Sequence, residues 1–273
     1  MYLDSAATTQ KPQEVIDAIA KFYSSKYGTV HRGLYDLSSS ATRDFENTRN
    51  LIAQFIDARS SSEIIYTSGA TESINLVAHS YLRPLLRAGD EVIISIMEHH
   101  ANFVPWQQLV KEKNATLRIV PVSENGQFDL GVYKKYLTRK TRFVAVTHVS
   151  NVTGVVNPVR QIVDLAHEVG AHVLVDGAQS IAHMPLSMQG LDCDFFAFSG
   201  HKLYGPTGVG VLYGKKALLH EMIPYRYGGE MILEVKEKVS TFKPAPHRFE
   251  AGTPNIAGVV GLGAAIRFIL DLT

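Results

Sequence analysis

The feature of this sequence that most constrains its fold is an alternation of short apolar runs with amphipathic stretches of helix length. The runs are rich in β-branched residues, as buried strands are. Five of them are Ile64-Ile65-Tyr66-Thr67, Val92-Ile93-Ile94-Ser95, Leu117-Arg118-Ile119-Val120, Phe143-Val144-Ala145-Val146 and His172-Val173-Leu174-Val175. Strands separated by helices predict a mostly parallel sheet that is covered by helices on both faces.

Prolines and apolar spacing predict where the helices lie. Pro12 and Pro158 each open a helix, and Gly170 ends the second one. Apolar residues from Phe45 to Ile56 recur at helical spacing. The chain has 273 residues and no repeats or linker, so we expect one large or two small domains.

Composition and charge exclude several classes of protein. With 27 Lys and Arg against 26 Asp and Glu, the net charge of +1 gives no electrostatic basis for binding nucleic acid or an acidic membrane. No apolar run reaches about 18 residues, and the first residues lack the features of a signal peptide. The single cysteine excludes a disulfide scaffold. We therefore expect a cytoplasmic protein, or one of an organelle stroma or matrix after removal of a transit peptide.

Polar residues follow the apolar runs, at the edge of the sheet where parallel strands bind ligands. The segments at this edge are Ser68-Gly69-Ala70-Thr71, Glu98-His99-His100-Ala101-Asn102, His148-Val149-Ser150-Asn151, Asp176-Gly177-Ala178-Gln179 and Ser199-Gly200-His201-Lys202. Because these segments come from five strand ends, their convergence predicts a single site.

The residue types in these segments suit the cofactor pyridoxal 5'-phosphate (PLP). A lysine such as Lys202 in a loop of small residues can lose its proton and form an imine with an aldehyde. Asp176, at a strand end, can keep a pyridine nitrogen protonated. The alternative interpretations are a surface lysine for Lys202 and a helix cap for Asp176.

Two further groups complete the predicted site. The segment Gly69-Ala70-Thr71 opens a helix and presents backbone N–H groups to a phosphate, and Ser199 and His201 flank the lysine on the same edge. His99 follows a strand and can lay its ring on a flat cofactor. An ordinary capping turn and a structural histidine are the alternatives for these residues. None of these features is specific alone, but together they specify PLP.

Motifs for other chemistries fail on spacing. His167-Glu168 is followed by His172, one residue beyond the position that a zinc-protease helix requires. His99-His100 has no second pair of metal ligands at usable spacing. A phosphate loop ending at Lys215 would need glycine where Val209 stands. We therefore predict no metal site.

Longer motifs extend this interpretation to a family. The sequence resembles the SufS-like cysteine desulfurases, which are class V, fold-type I PLP enzymes, over essentially its whole length. The matching segments are Tyr2-Leu3-Asp4-Ser5-Ala6-Ala7, Val30-His31-Arg32-Gly33, Met97-Glu98-His99-His100-Ala101-Asn102, Thr147-His148-Val149-Ser150-Asn151, Val175-Asp176-Gly177-Ala178-Gln179, Ser199-Gly200-His201-Lys202-Leu203-Tyr204-Gly205-Pro206 and Arg248-Phe249-Glu250-Ala251-Gly252-Thr253-Pro254-Asn255. The resemblance implies a three-layer aspartate-aminotransferase-like large domain with a mostly parallel seven-stranded sheet.

The resemblance assigns a role to each matching cofactor residue. Lys202 and His99 would be catalytic, the first by binding PLP as an imine and moving protons, the second by stacking on the ring. Asp176 would pair with the ring nitrogen and Gln179 with the ring oxygen. The phosphate would be held by Ala70, Thr71, Ser199 and His201.

The resemblance also implies a homodimer with shared active sites. Thr253 would reach the phosphate of the neighbouring subunit's cofactor, and Asn151 and His31 would line the substrate pocket. The reaction would convert L-cysteine to L-alanine and leave an enzyme persulfide for iron–sulfur cluster assembly in the SUF system. The sulfur would pass to an acceptor protein of the SufE or SufU type.

One departure from the family concerns the sulfur-accepting thiol. In the family this cysteine, and the arginine that binds the substrate carboxylate, lie in a C-terminal small domain. We expect residues 1–273 to be the PLP-binding large domain, with residues 1–37 as an N-terminal segment carrying an active-site loop, and the small domain to be absent. Cys193 enters a strand between Asp192 and Asp194, which disfavours a thiolate, so we expect a structural cysteine.

Such a chain is expected to carry the cofactor platform without full desulfurase activity. Selenocysteine lyase and cysteine sulfinate desulfinase use the same platform and remain alternatives. A third alternative is a non-catalytic module that keeps the fold for dimerisation or partner binding.

Overall fold

A seven-stranded sheet forms the centre of the molecule. The computed structural model describes residues 1–272. The strands are β1 (Ile64–Thr67), β2 (Glu91–Ser95), β3 (Thr116–Val120), β4 (Thr141–Thr147), β5 (His172–Asp176), β6 (Phe195–Ser199) and β7 (Gly210–Gly214). Their order across the sheet is β1-β7-β6-β5-β4-β2-β3. Only β7 pairs antiparallel with its neighbours, so the other six strands point the same way.

Ten α-helices are described around this sheet. They are α1 (Gln13–Lys21), α2 (Asp36–Phe55), α3 (Ala70–Val77), α4 (Arg83–Leu85), α5 (Val104–Lys113), α6 (Leu130–Tyr136), α7 (Val159–Glu168), α8 (Met188–Leu191), α9 (Lys216–Glu221) and α10 (Ile256–Leu270). Helices α1 and α7 begin directly after Pro12 and Pro158, as the sequence predicts. No helix within residues 1–272 is both long and apolar enough to cross a membrane.

Side chains alternate along each strand and build one apolar core on each face of the sheet. On one face, Val144 and Phe196 pack in a core that includes residues of α2, α7 and α10. On the other face, Phe143 and Phe195 pack in a core that includes residues of α3, α5 and α9. The predicted three-layer architecture, with helices on both faces of a mostly parallel sheet, is confirmed.

One element has no counterpart in the sequence-based prediction. Strands β8 (Ile232–Val235) and β9 (Ser240–Phe242) pair as a small hairpin apart from the main sheet. Most of its side chains are exposed. Leu233 is 70% exposed, and Val239, in the turn between the two strands, is 63% exposed. An exposed hairpin of this kind lacks the buried apolar run by which the main strands are recognised.

Candidate active site

A cavity of about 490 Å³ lies at the carboxyl edge of the sheet. It is lined by all but two of the site residues predicted from the sequence, together with Asp4, Ala6 and Ala7 from the N-terminal segment. The predicted residues at the cavity are Ala70, Thr71, His99, Asn151, Asp176, Gln179, Ser199, His201 and Lys202. Parallel strands therefore bring together residues that are up to 132 positions apart in the sequence, from Ala70 to Lys202 (202 − 70 = 132).

Lys202 lies in a 3₁₀ turn, Gly200–Lys202, that directly follows β6. Its ammonium group is partly buried, and burial lowers its pKa, while the nearby negative charge of Asp176 opposes this shift. A lysine with a lowered pKa offers a neutral amine more readily than a surface lysine does. The site thus contains an amine suited to attack an aldehyde.

Asp176 is the last residue of β5, and its carboxyl group is buried. Burial raises its pKa, and three interactions oppose this: a hydrogen bond from the Ala178 N–H at 3.0 Å and the charges of Lys202 and His99. The following residue must be glycine, because a Cβ on Gly177 would lie 1.8 Å from the Phe196 ring. Asp176 lines the cavity, where its carboxylate can pair with a cationic ring nitrogen.

The N-terminus of α3 opens onto the same cavity. The Ala70 N–H donates to the Ser199 Oγ at 2.8 Å, which ties the start of α3 to the end of β6. Thr71 is exposed on the first turn, and His201 also lines the cavity. The partial positive charge of the helix terminus, together with hydroxyl and imidazole groups, suits a phosphate.

His99 follows β2 and is exposed at the cavity, where its Nδ1 accepts the Ala101 N–H at 3.1 Å. The residue before it is the buried Glu98, which sequence reasoning did not single out. The Glu98 carboxylate accepts hydrogen bonds from the Ser95 hydroxyl at 2.5 Å, the Asn102 amide at 2.6 Å and the Thr147 N–H at 3.0 Å. These bonds connect the ends of β2 and β4 to the turn that carries His99.

Burial raises the pKa of Glu98 to about 8, although its three hydrogen bonds favour the ionised form. The charge of Asp176 adds to the increase. The sequence shows Glu98 between an apolar strand and His99, which is predicted to stack on the cofactor ring. The full set of hydrogen-bond partners of Glu98 could not be predicted, because one of them, Thr147, lies 49 positions away at the end of β4.

The N-terminal segment covers part of the cavity and is fixed to its wall. The carbonyl oxygen of His201 accepts the Thr9 N–H at 3.0 Å and the Lys11 Nζ at 2.9 Å. The side-chain amide of Gln179 donates to the Ala6 carbonyl at 2.9 Å. Lys11 is a second amine close to the site that the sequence analysis did not identify, and burial lowers its pKa as well.

Two predicted site residues lie outside the cavity. Thr253 lines a smaller pocket of about 180 Å³ together with Glu72 and Arg226. His31 bonds Glu46 at 3.0 Å, and its ring packs edge-on against His247 at 5.2 Å between centroids. Their predicted roles, in the neighbouring subunit's site and in the substrate pocket, stay predictions.

Cys193 is fully buried, as predicted for a structural cysteine. Burial raises the pKa of its thiol strongly, and the adjacent Asp194 raises it further. A thiol in this environment remains protonated and inaccessible, so it does not suit nucleophilic sulfur chemistry.

The donor set at the cavity fits PLP. A lysine with a lowered pKa suits the aldehyde, a buried carboxylate suits the ring nitrogen, and an exposed imidazole suits the ring face. The terminus of α3 suits the phosphate. Each group lies on the wall of one cavity and is held there by the end of a different strand or helix.

Comparison with known proteins gives a consistent result. The family model described as "Aminotransferase class-V" matches residues 1–273. A cysteine desulfurase from Shigella sonnei (strain Ss046) is 54% identical over 272 residues, covering 99% of this chain and 67% of the relative. A cysteine desulfurase from Escherichia coli (strain K12 / DH10B) is 53% identical over the same length.

Two solved structures have closely similar folds. The cysteine desulfurase CsdA (S-sulfonic acid) from Escherichia coli superimposes with a TM-score of 0.93 at 45% identity, covering 99% of this chain and 68% of that one. The apo cysteine desulfurase from Thermococcus onnurineus NA1 superimposes with a TM-score of 0.96 at 38% identity, covering 100% and 68%. This chain thus spans about two thirds of the length of these relatives.

Proposed function

The chain belongs to the class V aminotransferase family, and we propose that it is the cofactor-binding large domain of a cysteine desulfurase. The family uses PLP. The observation that carries the proposal is the convergence of Lys202, Asp176 and His99 on one cavity, in a chain that is 54% identical to a cysteine desulfurase over 99% of its length. The proposed reaction converts L-cysteine to L-alanine and transfers the sulfur to a thiol as a persulfide.

Each residue of the cavity has a distinct task in this reaction. PLP, when bound, supplies an electrophilic carbon and a ring that accepts electrons. Lys202 provides the amine that holds the cofactor, and its lowered pKa lets the same Nζ accept and return protons near the substrate Cα. Asp176 keeps the ring nitrogen protonated through its negative charge.

The remaining residues bind and orient the cofactor. The start of α3 at Ala70 and Thr71, with Ser199 and His201, would hold the phosphate. His99 would cover one face of the ring, and the hydrogen bonds of Glu98 keep the turn that carries His99 in place. Gln179 and Asn151 are proposed to contact the ring oxygen and the substrate.

The sulfur balance of the reaction requires a thiol acceptor. L-cysteine and a thiol R–SH give L-alanine and R–S–SH, so the Cβ–S bond of the substrate breaks and an S–S bond forms. Cys193 is the only cysteine of this sequence, and it is buried and protonated. We therefore propose that the accepting thiol lies outside residues 1–273, and that full turnover by this chain depends on such a thiol.

Further proposals follow from the family. A homodimer would place Thr253 of each subunit at its partner's cofactor, which agrees with the position of Thr253 outside the cavity of its own chain. A role in the SUF system for iron–sulfur cluster assembly, an acceptor protein of the SufE or SufU type, and a cytoplasmic location remain predictions.

The test is to measure alanine formation by the purified, PLP-loaded chain. L-cysteine is supplied with a small dithiol as sulfur acceptor, and alanine and sulfide are quantified together. We expect equal amounts of both products from the wild-type chain and none from Lys202→Ala. The exposed Lys236 provides the control, since Lys236→Ala should keep the wild-type rate. If the wild-type chain binds PLP but forms no more alanine than Lys202→Ala does, the proposal that it is the cofactor-binding domain of a cysteine desulfurase is wrong.

A further inference from the structure

A cluster of two histidines and one glutamate lies outside the cavity, and the reaction proposed above assigns no task to Glu46 or His247. His31 comes from the segment before α2, Glu46 from α2, and His247 from the 3₁₀ turn His247–Phe249. One nitrogen or oxygen atom from each lies within 4.8 Å of the other two. Because 201 positions separate Glu46 from His247 (247 − 46 = 201), the spacing rules that exclude other metal motifs in the sequence do not detect this group.

We propose that His31, Glu46 and His247 form a binding site for a divalent transition-metal ion such as Zn²⁺ or Co²⁺. Two imidazoles and one carboxylate are ligands that these ions prefer. In a tetrahedral site with metal–ligand bonds of about 2.0–2.1 Å, ligand atoms lie about 3.4 Å apart. The His31 Nε2 and the Glu46 Oε1 are 3.0 Å apart, so they would separate by about 0.4 Å on binding, while the His247 ligand atom, which lies within 4.8 Å of both, would move inward.

A second layer of interactions orients the carboxylate. Arg49 donates from Nε to the Glu46 Oε2 at 2.9 Å, while its Nη2 is 3.3 Å from Oε1. Arg49 itself is paired with Glu250 through contacts of 2.6 and 2.9 Å. Ligating carboxylates are commonly fixed by such outer hydrogen bonds. In this geometry Oε1 is the oxygen that contacts His31.

The charged groups around the cluster carry a net negative charge, which favours binding of a cation. Glu46 and Glu250 carry two negative charges against the one positive charge of Arg49, so this group has a net charge of −1 before the histidines are counted. Burial lowers the pKa of His247, which favours the neutral imidazole that binds metals. Burial raises the pKa of Glu46, but hydrogen bonds from His31 and Arg49 outweigh it and lower the value to about 2.

The position of His31 is specified by the local structure. Its backbone has a φ of +63°, in the left-handed region that residues other than glycine seldom adopt. The conformation is held in part by a hydrogen bond from the His31 N–H to the Thr42 Oγ1 at 3.0 Å. Strained backbone of this kind is concentrated at functional sites. Three protein ligands would leave a fourth coordination position open to water or another ligand.

The experiment is a titration of the purified PLP-loaded chain with Co²⁺, followed by its visible d–d absorption, and with Zn²⁺, followed by calorimetry. We expect one ion to bind per chain, because the three ligand atoms form a single group. His247→Ala and, separately, His31→Ala should weaken binding at least tenfold.

The matched control is His220→Ala, which removes an exposed histidine from α9 and should leave the affinity unchanged. Circular dichroism confirms that each variant is folded. Binding that is absent in the wild type, or equally strong in wild type, His247→Ala and His31→Ala, would overturn the proposal. The cluster would then be only a charge network that holds α2 against the 247–250 turn.

Discussion

The buried ion pair between Arg49 and Glu250 offers a quantitative test of how α2 is fixed to the sheet. Arg49 is only 2% exposed, and its guanidinium donates to both oxygens of Glu250 and to the Ile64 carbonyl of β1 at 2.8 Å. It also lies 4.3 Å from the centre of the Tyr66 ring. The substitution Glu250→Ala removes the main counter-charge and leaves the cation buried.

The structure sets the expected magnitude. Removing one partner of a buried pair costs about 3–5 kcal/mol, because the remaining charge is uncompensated. Glu46 stays within 2.9 Å of Arg49 and compensates in part, so we expect about 3 kcal/mol of destabilisation. The Tyr66 N–H also loses its acceptor, which is 2.8 Å away in the wild type.

The assay is urea unfolding followed by circular dichroism, with free energies compared at equal slopes. The control is Asp164→Ala, which breaks an exposed pair with Arg160 whose side chains are about half accessible, and it should cost less than about 1 kcal/mol. If Glu250→Ala and Asp164→Ala destabilise the chain equally, the buried pair does not hold α2 to the sheet as described.

Three further predictions concern the cavity. Because Glu98 has a pKa of about 8 in the folded state, above its ordinary value, its stabilising contribution is complete below about pH 4.5 and is lost as the pH rises through 8. In urea titrations, the free energy of unfolding of the wild type relative to Glu98→Gln should therefore fall between about pH 5 and pH 8, and a constant difference would contradict this. Asp176→Asn should retain PLP by absorbance but lower alanine formation by on the order of 100-fold, since the charge at the ring nitrogen is lost, and near-wild-type rates would refute its role. Ser199→Ala leaves the Ala70 N–H without its acceptor, so it should cost about 1 kcal/mol in urea unfolding and weaken PLP binding in equilibrium dialysis, and unchanged values for both would contradict the structure.

The sequence predicts the sheet well because strand burial leaves a strong local signal. The run from Val92 to Ser95 is apolar on both faces, as expected of a strand covered by helices on each side, and the observed β2 extends it by one residue to Glu91. The residues with chemically reactive side chains stand directly at or after the ends of such runs. Lys202 and Asp176 can therefore be assigned to one edge of the sheet from the amino-acid sequence alone.

Interactions between distant residues could not be predicted in this way. Glu98 depends on Thr147, which is 49 positions away in the sequence, and Arg49 depends on Glu250, which is 201 positions away. Neither pair has a local sequence pattern, because contact arises only when the strands and helices pack. His31 illustrates the same limit, since within one chain it lies with Glu46 and His247 instead of at the cavity.

The central claim, that Lys202 is the amine that binds PLP, is tested most directly by trapping the cofactor. The PLP-loaded chain is treated with borohydride, which fixes PLP to its lysine, then digested and analysed by mass spectrometry. We predict a single phosphopyridoxyl group on the peptide that contains Lys202. Label on the nearby Lys11, or labelling spread over surface lysines, would contradict the account of this site.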